Sequence, residues 1–406
     1  MWEVVMNIKQ IIFGCSLFFV SFFSFATTSG PLLVVVLMVK NEEAVIAQTL
    51  ESYCQADPQG KYISYVVYDT GLDSWSPTMQ RAQELFDRYH LTNYFILQEP
   101  FVDFSTSRNK ALRLAEQRFP DAIFMLMPDA EWYLQNTSDL LKFCMDQVNQ
   151  VYLRSYLVRI LSSGTELDFY SGRLIRVGWS AYFEGVVHEC LHNDNDMGMV
   201  PSTIYFNYPE KPAGMEASKK RWMRDRELLF KEYLKNPEDS RNLFYLAQTC
   251  DCLGDTDNAY YYYTKRTQLK GFVEEDFIAQ YRLGILVERL IGQDASYTWA
   301  LALQHYINAF LMRPTRVEPL VRVAAFYINH DIYDLAFLYS YIACNTPYPK
   351  DVLFVEKNLY DKSRYEIFAK SAQHVELEIP KKMCVEARER NGISVENQFL
   401  SMAFPF

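Results

Sequence analysis

The chain of 406 residues carries 40 Lys and Arg against 50 Asp and Glu, a formal charge of −10, and half of its residues are hydrophobic. That is long enough for two or three cored domains, too hydrophobic to stay disordered, and too acidic to make nucleic acid a good partner. Glycine is scarce at 15, and neither G-x-G-x-x-G nor the P-loop G-x-x-x-x-G-K occurs.

Lys9 precedes an apolar run from Ile11 to Phe25, and Ser24-Phe25-Ala26 offers small residues for a cut. This pattern predicts a leader over residues 1–26, either a cleaved signal peptide or an uncleaved anchor through residues 11–25. The expected location is therefore exported or in the lumen of a secretory pathway. Asn136-Thr137-Ser138 is a glycosylation sequon that matters only in a eukaryotic secretory route. Cysteines 15, 54, 144, 190, 250, 252, 344 and 384 show no zinc spacing, and the sequence does not pair them.

From Pro31 to Tyr208 the texture is α/β. Leu32 to Val39 is a continuous apolar run suited to a buried parallel strand, followed by a helix from Glu42 to Tyr53. Strands are expected at Ile63–Tyr68, Tyr94–Leu97 and Ala122–Met127, with helices at Pro77–Tyr89 and Ser105–Arg118. In such sheets ligands sit beyond the carboxyl ends of strands. The polar residues there, Lys40, Asn41 and Glu42, then Asp69, then Asp129 and Glu131, should converge on one edge.

Residues 209–218, with Pro209, Pro212 and Gly214, read as a linker, and residues 219–350 as helices throughout. Small residues recur at Ala247, Gly284 and Ala324, with echoes at Ala259 and Tyr263, at Ala302, Tyr306 and Ala309, and at Ala336, Ser340 and Ala343. The first three lie at intervals of 37 and 40, near the tetratricopeptide period of about 34, and small residues at helix crossings suggest a divergent tetratricopeptide array. Residues 351–406 are expected to cap its end.

Two carboxylates one residue apart on a turn leaving a buried strand, as in Asp129-Ala130-Glu131, can share a hard divalent cation. Alone, the same spacing reads better as a solvated turn with an N-cap for the next helix. It is one of an ordered set: Met38-Val39-Lys40-Asn41-Glu42, Tyr68-Asp69, Asp103-Phe104-Ser105-Thr106-Ser107-Arg108-Asn109, Asp129-Ala130-Glu131, and Glu184-Gly185-Val186-Val187-His188-Glu189. Over about residues 31–360 this set resembles family-2 glycosyltransferases of the GT-A fold, in particular those with tetratricopeptide repeats behind the catalytic domain.

The resemblance implies a Rossmann-like GT-A domain over 31–208 that binds a nucleotide-sugar, followed by an all-α repeat domain. It implies donor contacts from Lys40, Asn41, Glu42, Asp69, Arg108, Asn109 and Asp129. Asp129 and Glu131, with His188 completing the shell, would hold Mn²⁺ or Mg²⁺. Glu189 or Glu184 would be the acceptor base of an inverting transfer, with Glu131 a third choice. The implied partners are a nucleotide-sugar, expected to be a UDP-sugar, and a protein, peptide or glycan acceptor, with the repeats available to a protein. The sequence departs from the family in having D-x-E for D-x-D, and Gly71-Leu72-Asp73-Ser74-Trp75 where a G-S-T-D-G is usual.

Two other readings stand beside it. An inactive α/β domain could carry a repeat scaffold for protein binding. His188-Glu189-Cys190-Leu191-His192 also matches H-E-x-x-H, the zinc peptidase motif, with Glu210 or Glu216 as third ligand. That motif requires a helix, whereas Gly185-Val186-Val187 favours a strand and Asn193 to Gly198 would end any helix.

Overall fold

The computed structural model describes residues 30–71, 75–163, 166–178, 181–192, 197–209, 215–375 and 386. The expected leader, Cys15, Cys384, Glu210 and the centre of the linker lie outside them.

Strand β1 (Leu33–Val39) is buried on both faces because its side chains alternate between two cores. Val35, Leu37 and Val39 enter one, and Val34 and Val36 the other. This is why the run carries no polar residue. Helix α1 (Ile46–Ala56) begins later than expected from the sequence. Asn41 takes a left-handed φ of 57°, and the first turn closes only where the Val45 and Ile46 amides donate to the Glu42 carbonyl. Next come β2 (Ile63–Asp69), α2 (Pro77–Arg88), β3 (Tyr94–Gln98), α3 (Phe104–Arg118) and β4 (Phe124–Leu126). Ser76 caps α2 and Asp103 caps α3.

The second half of the sheet was not legible in the sequence. It contains β5 (Tyr133–Gln135), α4 (Thr137–Gln147), β6 (Ser155–Ser162) and β7 (Leu167–Arg176). A small hairpin of β8 (Tyr182–Glu184) and β9 (Cys190–His192) leads to β10 (Gly198–Met199) and β11 (Tyr205–Tyr208). The main sheet runs β3-β2-β1-β4-β7-β6-β11-β5. Strands β1 to β4 are mutually parallel, and β7 joins β4 antiparallel. The chain winds outward from β1 to β3 and then returns to β4 on the other side of β1. The switch point therefore lies between the carboxyl ends of β1 and β4, where open α/β sheets leave a crevice.

The rest is helical: α5 (Met215–Lys235), α6 (Ser240–Leu253), α7 (Thr256–Arg266), α8 (Val273–Leu290), α9 (Trp299–Met312), α10 (Glu318–Asn329), α11 (Tyr333–Cys344) and α12 (Arg364–Ala372). Helices α6 to α11 form three consecutive hairpins. Ala247, Ala324, Ala259, Tyr263, Ala302, Tyr306, Ala309, Ala336, Ser340 and Ala343 are all buried in them. At Gly284 a Cβ would stand 2.5 Å from the Tyr306 ring, so the α8–α9 crossing admits only glycine there.

The helices are joined to the sheet. Strand β12 (Val355–Glu356) pairs antiparallel with β7, and Phe104, Val186 and Val187 pack into the same core as α6 to α9. The described part of the expected C-terminal cap packs α12 on α11 at the end of the helices and also reaches the sheet through β12. Cysteines 54, 144, 190, 250, 252 and 344 are free thiols. Among the described residues no helix is long and apolar enough to cross a membrane.

Candidate functional site at the sheet switch point

The turn leaving β4 carries Asp129-Ala130-Glu131. It is fixed from two sides: the buried Thr49 hydroxyl of α1 donates to the Ala130 carbonyl, and the Trp132 amide donates to the Asp129 carbonyl at 3.1 Å. Antiparallel pairing brings β7 alongside, and the Met127 amide donates to the Arg173 carbonyl at 2.9 Å.

Arg108, one turn into α3 and 5% exposed, bridges two acids. Its Nη2 donates to Asp129 Oδ1, and its Nε donates to Glu189 Oε1 at 2.5 Å. A second buried guanidinium, Arg173, places Nη1 at 3.7 Å from the same Asp129 oxygen. Both arginines lie 5.5 Å from the Phe183 ring, and Arg173 also lies 4.7 Å from the Trp132 ring. Burial works against the charge of each. For Arg108 the fields of Asp129 and Glu189 more than reverse that, and it ends above its ordinary value. For Arg173 burial wins over Asp129, with Arg108 adding repulsion, and it ends below. The cluster sets two positive charges, Arg108 and Arg173, against those of Asp129 and Glu189.

Sequence reasoning brought Arg108, Asp129 and Glu189 together and missed Arg173. Its signal was one of two arginines, with Arg176, that bracket Leu174-Ile175 at the end of β7, which no motif marks.

Asn109 holds protein backbone: its Nδ2 donates to the Phe183 carbonyl at 2.8 Å, and its Oδ1 accepts the Phe183 amide at 2.7 Å. Asp69 is fully buried, accepts the Gly71 amide at 2.7 Å and the Ser76 hydroxyl, and thereby shapes the turn before α2. Lys40 and Asn41 are exposed at the end of β1, with Lys40 Nζ 6.0 Å from the Phe101 ring. The Glu42 amide donates to Thr78 Oγ1 at 2.8 Å.

His188 departs most from its expected place. It is turned away from Asp129 and stacks on Tyr245 of α6, with ring centroids 4.3 Å apart. Desolvation of its ring against Tyr245 lowers its pKa from the ordinary value despite the nearby Glu189, while the residue as a whole stays exposed to solvent. Glu184 is two-thirds exposed, with His192 Nδ1 at 3.6 Å. Residues 184 and 190–192 are strand and His188 takes φ 52°, so His188 and His192 do not share a helical face. The zinc peptidase geometry is absent from this segment.

Among the described residues no three His, Cys, Asp or Glu side chains are grouped to hold a metal. Asp129 and Glu131, one residue apart on one turn, do fit a hard divalent ion, which takes one or two carboxylates and completes its shell with water and substrate phosphate. His188, committed to Tyr245, does not fit.

No protein-family model matches the chain, and no curated protein matches it. Among solved structures, residues 1–349 of TarS from S. aureus are 14% identical, cover 76% of this chain and 89% of that one, and give a TM-score of 0.33. The same fragment in complex with UDP-GlcNAc gives 0.35 at the same identity and coverage. The mannosyltransferase PcManGT from Pyrobaculum calidifontis, in complex with GDP-Man and Mn²⁺, is 14% identical, covers 70% and 87%, and gives 0.38. Likenesses this distant assign no residue a role.

Proposed function

We propose that the chain is an inverting, metal-dependent glycosyltransferase of the family-2, GT-A type, moving a sugar from a nucleotide-sugar to a hydroxylated acceptor. The observation that carries this reading is the Arg108 cluster. Two buried guanidiniums and the Asp129 turn meet at the switch point of a parallel sheet, beside a second carboxylate, Glu189. The ordered motifs support the same reading, as do three helical hairpins at tetratricopeptide-like spacing.

In this mechanism Asp129 and Glu131 would hold Mn²⁺ or Mg²⁺, which would supply positive charge against the diphosphate. Arg108 and Arg173 supply fixed positive charge where the departing nucleoside diphosphate gains negative charge, and they need no reorganisation to do so. Glu189 takes the proton of the acceptor hydroxyl as that oxygen attacks the anomeric carbon from the side opposite the leaving group. It is preferred over Glu184 because it is 9% exposed and fixed by Arg108, whereas Glu184 is largely in solvent. Lys40 to Glu42 border the crevice on the β1 side, where the nucleoside would lie. The acceptor is a protein, peptide or glycan, met on the side of the helices.

Calorimetric titration of the full chain with UDP and then GDP, with and without Mn²⁺, tests this reading. Metal-dependent micromolar binding that disappears in Asp129→Ala supports it. Absence of binding of either nucleotide under every metal condition overturns it in favour of a repeat scaffold.

A further inference from the structure

The segment that carries Glu189 belongs as much to the helices as to the sheet. Gly185 at φ 110° and His188 at φ 52° turn the chain so that consecutive side chains face different bodies. Val187 is buried in the helical core with Leu229, Leu243 and Tyr245, His188 lies flat on the Tyr245 ring, and Glu189 reaches Arg108. The turn is also held by its backbone: Arg241 Nη2 donates to the His188 carbonyl at 3.1 Å.

Arg241 is itself fixed. Its guanidinium lies 4.8 Å from the Tyr245 ring, and its Nη1 donates to Glu275 of α8 at 2.8 Å. Glu275 is anchored in turn by the fully buried Arg266 of α7 at 3.3 Å. A continuous set of contacts thus runs from α7 and α8 through Arg241 and Tyr245 to the residue beside Glu189. On the opposite side, Asn109 clamps Phe183 and Arg108 takes the carboxylate.

We propose that Tyr245 and Arg241 are positioning residues for Glu189, so that the helical region completes the active site instead of being appended to it. This rests on the transferase reading, in which Glu189 is the base. A carboxylate displaced by about 1 Å loses on the order of 10²-fold in rate. Donor binding, which is assigned to the sheet, should be left nearly alone.

The test compares full-length wild type with Tyr245→Leu, Arg241→Met and Tyr245→Phe. One readout is amide hydrogen exchange over residues 185–190, with strand β1 as the internal reference. The other is nucleoside diphosphate release from a UDP- or GDP-sugar, resolved into kcat and KM. Tyr245→Leu and Arg241→Met should raise exchange of the 185–190 amides about tenfold with β1 unchanged. They should also lower kcat about 10²-fold while KM for the donor stays within about twofold. Tyr245→Phe, which keeps the ring stack, should match wild type in both readouts.

Unchanged exchange in Tyr245→Leu, or full turnover despite loosened amides, overturns the proposal. If Tyr245→Leu also loosens β1, Arg241→Met decides, since its partly exposed side chain can be shortened without opening the core. A wild type that releases no nucleotide counts against the transferase reading alone, and the exchange comparison still decides whether the helices hold this turn.

Discussion

Replacing Arg108 with methionine removes the one group that neutralises both acids. Deleting one partner of a buried ion pair costs about 3–5 kcal/mol, because the remaining charge stays buried. Asp129 is 28% exposed and keeps Arg173 at 3.7 Å, so most of the loss falls on Glu189, which is 9% exposed. The lower end, about 3 kcal/mol, is therefore expected, or a fall of about 3–4 °C in Tm for a chain of this size. In the variant the Glu189 carboxylate stays in place without its guanidinium partner, so neutralising it should remove most of the cost. Glu189→Gln added to Arg108→Met should recover most of the loss at pH 7, leaving about 1 kcal/mol. Thermal melts of the wild type, both single variants and the double variant at pH 7 measure this. A Tm within about 1 °C of wild type for Arg108→Met, or no recovery in the double variant, would refute the reasoning.

Further outcomes follow from the same geometry. Glu131→Ala should weaken Mn²⁺-dependent nucleotide binding by about tenfold or more, and an unchanged Kd would remove Glu131 from the metal turn. His192→Ala should leave nucleotide binding and turnover within about twofold, since its ring stacks on Tyr182 at the hairpin surface. His188 takes up its proton near 6.5 when unfolded but only near 4 when folded. Stability should thus fall modestly as pH drops through that window, because solvent on the exposed His188 screens the effect, and His188→Phe should flatten the slope of Tm against pH. Gly284→Ala should destabilise by about 1–3 kcal/mol, because the new methyl meets the Tyr306 ring, offset in part by the better helix propensity of alanine.

The parts of the fold legible in the sequence are those whose pattern is set by burial on a regular period. Strand β1 is apolar throughout because both its faces are covered, and Ala247, Gly284 and Ala324 are small because helices cross there. Strands β8 to β12 have two to four residues each, too few for alternation to declare itself, and the sheet's second half went unread. At the site, the family resemblance singled out Arg108, Asp129 and Glu189 among others, and the structure brings these three into contact. Order along the chain could not tell that Asn109 holds the Phe183 backbone, or that His188 faces Tyr245. Those roles depend on pairings between residues 74 and 57 positions apart, and nothing local to either residue marks them.

The central claim is that this site transfers a sugar, and release of nucleoside diphosphate tests it most directly. Wild type, Asp129→Ala and Glu189→Gln would be incubated with a panel of UDP- and GDP-sugars in Mn²⁺ or Mg²⁺, and the released nucleotide followed by mass spectrometry. The account predicts release by wild type from at least one donor, reduced about 10²-fold or more in both variants. Equal release by all three proteins, or none from any donor with either metal, would contradict it.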